Sequence, residues 1–170
     1  STGVFDNFTA SEKISAFYLA YYGRAGDPEG QRFWTQQLAD NGGDLAAIVD
    51  AFGDSPEARA LYADLSNRDA VISLFERMLD RSPSEDSIDF YASGLADGRF
   101  TKSSLAIDIL AGAQNEDSDI IANRTAVAEE LTRRIADGAD LAPTETRDLL
   151  DQVGADRGSV RAALDEAPGP

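Results

Sequence analysis

The chain has 170 residues and a formal charge of −16, from 31 Asp plus Glu against 15 Lys plus Arg, and it contains neither cysteine nor histidine. Disulfides, thiolate nucleophiles, imidazole bases and Cys- or His-ligated metals are thereby excluded. So negative a field repels nucleic-acid phosphates and anionic lipid, so neither nucleic-acid binding nor direct membrane insertion is expected. The 42% apolar content, with 8 Phe, 5 Tyr and 1 Trp, argues for a packed core. A chain of this length buries roughly 70% of its unfolded surface without staples. No apolar run approaches a membrane span, and Ser1-Thr2-Gly3 does not read as a signal peptide. Of the basic residues only Lys13 and Lys102 are lysine, a bias that composition does not explain.

Apolar spacing is helical nearly throughout. Thr9 with Glu12 forms a capping-box signal for a helix ending at Tyr22, closed by Gly23. Asp27-Pro28 pairs an N-cap with proline at the first helical position, predicting a helix from Pro28 to about Ala39. Asp44 is expected to open a third helix carrying Ile48, Val49 and Phe52, and Ser55-Pro56-Glu57 a fourth running to about Leu65. Further helices are predicted over Asn67 to Leu79, Glu85 to Ala96, and from a Thr101 cap to Ala111. Gly112 to Asp119 reads as a loop before the longest helix, Ile120 to Ala136. Pro143 to Val153 and Asp156 to Leu164 complete the series, and 167–170 reads as a disordered tail or linker. The prediction is one all-α domain over 1–166, of about nine helices and no sheet.

The chain also repeats itself. Phe17 to Asp40 holds an aromatic helix, Arg24, a Gly-Asp-Pro-Glu-Gly turn, Phe33-Trp34 and Leu38-Ala39-Asp40. The same order recurs 57 residues on as Leu74-Phe75, Arg81, Ser-Pro-Ser-Glu-Asp, Phe90-Tyr91 and Leu95-Ala96-Asp97. Only five of the 24 paired positions are identical, so the order of features carries the second copy. The organisation is thus two degenerate helical repeats, about 11–66 and 67–117, followed by helices over 118–165.

The run Phe17-Tyr18-Leu19-Ala20-Tyr21-Tyr22-Gly23-Arg24, with Asp27-Pro28-Glu29-Gly30, Phe33-Trp34, Leu38, the Phe52 helix and Ser55-Pro56-Glu57, resembles the domain-of-unknown-function family four-two-one-four. The second copy departs from that pattern: Leu79-Asp80-Arg81 lacks the glycine, Ser84-Glu85 stands for Asp-Pro, and Ser87 replaces a glycine. The segment from Ile121 to Leu164 resembles the helical tail that often follows such repeats. The resemblance implies a module of large secreted or surface proteins of bacteria, S-layer proteins included, with distant similarity to phycobilisome linker domains. It implies no catalytic residues.

Four residues of the first copy are the candidate ligand site: Arg24, Asp27, Glu29 and Trp34. Trp34 with Phe33 and Tyr18, Tyr21 and Tyr22 offers a platform for sugar rings, although an aromatic cluster at helical spacing is more often core. Arg24 and Arg81 offer bidentate donors to a carboxylate or anionic glycan. Against that, their recurrence favours an internal clamp, Arg24 reaching Asp27, Glu29 or the last carbonyls of its helix. Phe33 and Phe90, with Leu38 and Leu95, read as residues that hold each helical pair together. Calcium is the cofactor the acidic loops would admit, with Asp117 and Asp119 at alternate positions as ligands, against their bland reading as caps of the next helix.

The function expected is a non-catalytic helical interaction module, secreted or at the cell surface, that binds another protein domain or cell-surface polysaccharide, calcium assisting. The alternatives are a glycan-active enzyme with paired carboxylates roughly 5 to 10 Å apart across a cleft, and a cytosolic linker or scaffold domain, disfavoured because such linkers are basic.

Overall fold

The computed structural model describes residues 3–170; Ser1 and Thr2, which open the predicted 1–166 domain, lie outside it. The described residues form a short 3-10 helix, Val4–Asn7, and ten α-helices, with no strand among them. The helices are α1 (Ala10–Tyr22), α2 (Pro28–Asp40), α3 (Ala46–Gly53), α4 (Pro56–Tyr62) and α5 (Asn67–Leu79). They continue as α6 (Glu85–Asp97), α7 (Leu105–Gly112), α8 (Glu116–Ala136), α9 (Pro143–Asp151) and α10 (Arg157–Glu166).

Local chemistry starts most of these helices as the sequence predicts. At α1 the capping box is complete: Glu12 N–H donates to Thr9 Oγ1 (3.2 Å) and Thr9 N–H to Glu12 Oε1 (2.8 Å). Asp27 and Ser55 cap α2 and α4, each with proline following. Two starts come later than expected. Asp44 and Thr101 bond within short turns, and α3 and α7 begin at Ala46 and Leu105.

The largest correction is at α8. It begins at Glu116, four residues before Ile120, after a turn at Asn115 with φ 54°. Glu116, Asp117 and Asp119 therefore form its first turn, where acids face the positive end of the helix dipole. A polar, acidic run that resembles a loop is here a helix start.

Helix α1 is the axis of the fold. Nine of its thirteen residues are buried, Ile14 through Tyr22 without a break. It packs most extensively on α8 and next on α2. Around it lies an aromatic cluster centred on Phe52, whose ring meets those of Phe17, Tyr18, Tyr21, Tyr22 and Trp34 at centroid distances of 5.0–5.9 Å. A second apolar cluster joins Leu19 to Val127, Leu131, Leu149, Leu150 and Ala163. Helix α8 contributes to both clusters and so ties the repeats to the C-terminal helices. Ala167, assigned to the tail from sequence, is buried in the second cluster, and its carbonyl accepts from Arg134 (3.2 Å). The chain is thus anchored one residue past α10, and 168–170 continue without helix.

The structure gives several of the arginines a place that lysine would not fill. Arg124, 1% exposed, donates to four carbonyls: Val153 (2.8 Å), Arg77 and Met78 (3.2 Å each) and Asp151 (3.4 Å). Arg134 closes α10 through Leu164 O, and Arg147 closes α1 through Tyr22 O. A planar fork of five donors can satisfy several carbonyls of a helix end at once, which an ammonium cannot do with fixed geometry. Lys102, with a single carbonyl to reach, bonds Leu65 O.

Candidate functional site

The first-copy turn begins at Gly23, left-handed at φ 70°, which closes α1 and aims Arg24 across the start of α4. Arg24 is a clamp, but with neither Asp27 nor Glu29. Its Nε and Nη2 donate to the two oxygens of Glu57, 2.9 Å each, and its Nη1 donates to Ala25 O. Its guanidinium lies 5.2 Å from the ring centroids of both Tyr18 and Tyr22. Burial alone lowers its pKa, but the bidentate Glu57 more than offsets this and leaves it raised. A guanidinium committed in this way has little left for an external anion.

Asp27 is the α2 N-cap, accepting from Gly30 N–H at 2.8 Å, and Glu29 is an exposed residue of that first turn. Trp34 is half-buried against Phe52, with Phe33 edge-on to it at 4.9 Å. The four predicted residues thus cluster around one turn, but three are occupied in holding it, and Glu29 is free of them.

Asp117 and Asp119 do not converge. Both Asp117 oxygens are held by Arg81 (Nε 2.9 Å, Nη2 2.6 Å), and Asp119 stands exposed two residues along α8. Side chains two apart on a helix leave on different sides, so these acids cannot close on one ion as loop ligands would. Neither caps the helix, since Asn115 holds that position without a side-chain bond. Among the described residues, no three acids lie close enough to share a metal ion.

Of the aromatic platform expected from sequence, the exposed part lies next to Trp34. Phe33 and Phe90 are the exposed large apolar side chains, 53% and 52% accessible, and they occupy the same repeat position. They do not hold the helical pairs together. On α2 the inward face is Gln31, Trp34 and Leu38, and on α6 it is Ile88, Tyr91 and Leu95, so positions 33 and 90 fall to one side. Each rests edge-on against its inward neighbour, at 4.9 and 5.1 Å. Phe90 also carries the Arg99 guanidinium at 5.4 Å. Recurrence marked both positions, but only burial shows which way they point.

The family model described as "Domain of unknown function (DUF4214)" matches residues 4–62 and 51–118. The chain belongs to this family. The two matches to the DUF4214 model overlap over 51–62, the first ending within α4 and the second within the first turn of α8. These are the helices whose starts supply Glu57 and Asp117 to the two arginine clamps. No curated protein and no solved structure matches the chain.

Two carboxyls of this DUF4214 protein are pushed upward by burial: Asp108, opposed by a Ser104 hydrogen bond, and Asp151, opposed by Arg124. Asp151 lines two surface grooves, and Asp108 lines neither of them. Among the described residues, no helix is long and apolar enough to cross a membrane.

Proposed function

We propose that this domain is a non-catalytic interaction module of a secreted or surface-layer protein, docking on another protein domain or on cell-surface polysaccharide. The observation that carries the reading is the paired exposure of Phe33 and Phe90 at one repeat position, on a body whose other large apolar side chains are buried or half-buried. An exposed aromatic braced by a second ring offers area at low entropic cost, to an apolar partner or to the face of a sugar. The Arg24–Glu57 and Arg81–Asp117 clamps support it by tying the turns that precede α2 and α6 to α4 and α8. Calcium enters this reading as a counter-ion for the −16 surface rather than as a ligand of Asp117 and Asp119.

Adsorption of the domain to isolated bacterial envelopes, before and after surface polysaccharide is stripped, tests the reading. The expected result is binding that Phe33→Ser with Phe90→Ser weakens about tenfold, a loss of roughly 1.4 kcal/mol, with an unchanged melting temperature. Undiminished binding by the double variant would overturn the role given to these rings. For calcium, melting curves should rise equally with millimolar calcium and magnesium, and a rise specific to calcium would contradict screening.

A further inference from the structure

A groove of about 660 Å³ opens between α4, α5 and α9, away from Phe33 and Phe90. Two guanidiniums share it, Arg77 from α5 and Arg147 from α9. Neither meets a carboxylate at ion-pairing distance among the described residues. Arg147 bonds Tyr22 O at 3.0 Å. Arg77 has only a long contact to Ser73 Oγ (3.4 Å), and its Nε is buried with no partner. Burial first, and then the neighbouring Arg147 charge, push the Arg77 pKa down to about 10.

Packing does not explain that head group. The Arg77 stem covers Gly23, whose added Cβ would stand 3.1–3.2 Å from its Cδ and Cγ. A methionine would cover the same surface without desolvating a charge, and a buried charge without its partner is strongly unfavourable. In a chain of net charge −16, a buried guanidinium nitrogen with no partner, beside a second arginine in the same groove, calls for an anion.

The rest of the groove narrows the anion. Asp69, Glu76, Asp80 and Asp151 stand exposed on its rim and would repel a polyanion such as sulfate or phosphate. Leu61, Leu65 and Ile72 line one wall, which suits an aliphatic side chain better than a hydroxyl-rich sugar. We infer that this groove binds a peptide carboxylate, side-chain or C-terminal, bridged by Arg77 and Arg147, with a neighbouring aliphatic side chain against Leu61, Leu65 and Ile72. It is a second site, independent of the one built on Phe33 and Phe90.

Titration of the whole chain with N-acetyl-L-leucine, followed through the arginine Nε–Hε resonances, tests it. The Arg77 and Arg147 signals should shift saturably in the millimolar range, about −4 kcal/mol, and N-acetyl-L-leucinamide should leave them in place. Arg77→Met should abolish the response, and Arg147→Lys, which keeps a charge near Tyr22 O but loses the fork, should weaken it about tenfold. A peptide ending in Leu-Glu-NH2 that binds as well as the free acid assigns the carboxylate to a side chain; no binding by it assigns the terminus, and either fits the inference. Absence of a saturable shift, an equal shift with the amide, or tighter binding of galacturonate or sulfate would overturn it. Wild-type chain and Arg147→Lys decide the matter if Arg77→Met fails to fold.

Discussion

In the first helical pair the chain passes from α1 to α2 through Gly23, Gly26 and Gly30; in the second, the equivalent positions 57 residues on are Asp80, Pro83 and Ser87. The backbone barely registers the exchange. Asp80 takes the left-handed conformation of Gly23, φ 51° against 70°, and donates to Glu76 O as Gly23 does to Leu19 O, 2.9 Å in each case. Ser84 accepts from Ser87 N–H as Asp27 accepts from Gly30 N–H. What differs is the filling: Phe52, the centre of the aromatic cluster, has the aliphatic Ile109 as its counterpart. The turn of the second copy looks decayed in sequence and is intact in geometry. Its residues differ from those of the first copy, as do the side chains opposite them.

The largest test of this equivalence concerns the helix ends. Helix α1 is closed from outside by Arg147 on Tyr22 O, and α5 by Arg124 on Arg77 O and Met78 O. Arg124 also holds Val153 and Asp151, so Arg124→Met leaves four carbonyls unpaired in a buried site. Its expected cost is about 3–5 kcal/mol, against about 1 kcal/mol for Arg147→Met. Thermal unfolding should then show melting temperatures roughly 6–20 °C lower and roughly 2–4 °C lower, respectively. Equal losses would mean that the two ends are held by something other than these bonds.

The two arginines also show where sequence reading works and where it stops. Caps such as Thr9 with Glu12, Asp27 and Ser55 were legible because both partners lie within three residues. Arg124 was not, because its acceptors are backbone carbonyls 27 to 47 residues away, which have no residue identity to read. Recurrence of Arg24 and Arg81 pointed correctly to a clamp. Their partners escaped notice because Glu57 and Asp117 lie at different offsets, 33 and 36 residues on, although each is the second residue of its helix. For Phe33 and Phe90 the repeat signalled importance but not direction.

A middle-sized effect probes why glycine stands at position 30 and serine at 87. A Cβ at Gly30 would clash with the Tyr18 hydroxyl oxygen. The counterpart of Tyr18 is Phe75, which has no hydroxyl, and there Ser87 fits. Gly30→Ala should therefore destabilise by about 1–3 kcal/mol as an overpacking change. In a Tyr18→Phe background the sign should reverse, since alanine is favoured over glycine in a helix by up to about 1 kcal/mol. The Asp27 carboxylate, also 2.9 Å from that Cβ, is a side-chain end that can turn aside. A double-mutant cycle by urea unfolding measures the coupling, and additivity of the two changes would break the proposed pairing.

The smallest effect falls on Asp80. A non-glycine residue in the left-handed region carries a strain that glycine does not, although Asp is among the residues that tolerate it best. Asp80 also stands near Asp151, whose carboxyl it helps hold above the usual range, so removing it relieves a like-charge contact, which the loss of its attraction to the buried Arg124 charge offsets. Against these gains stands the greater freedom of glycine in the unfolded chain. Relief of about 1–2 kcal/mol of left-handed strain, less the cost of glycine's freedom, makes Asp80→Gly stabilising by at most about 1 kcal/mol, and Gly23→Asp should do the reverse more strongly. Position 23 lies 3.1 Å from the Arg77 stem, so a side chain there meets both a strained backbone and a filled space. If both substitutions destabilise alike, Asp80 holds its turn through a contact of its own rather than by tolerating a conformation inherited from the glycine of the first copy.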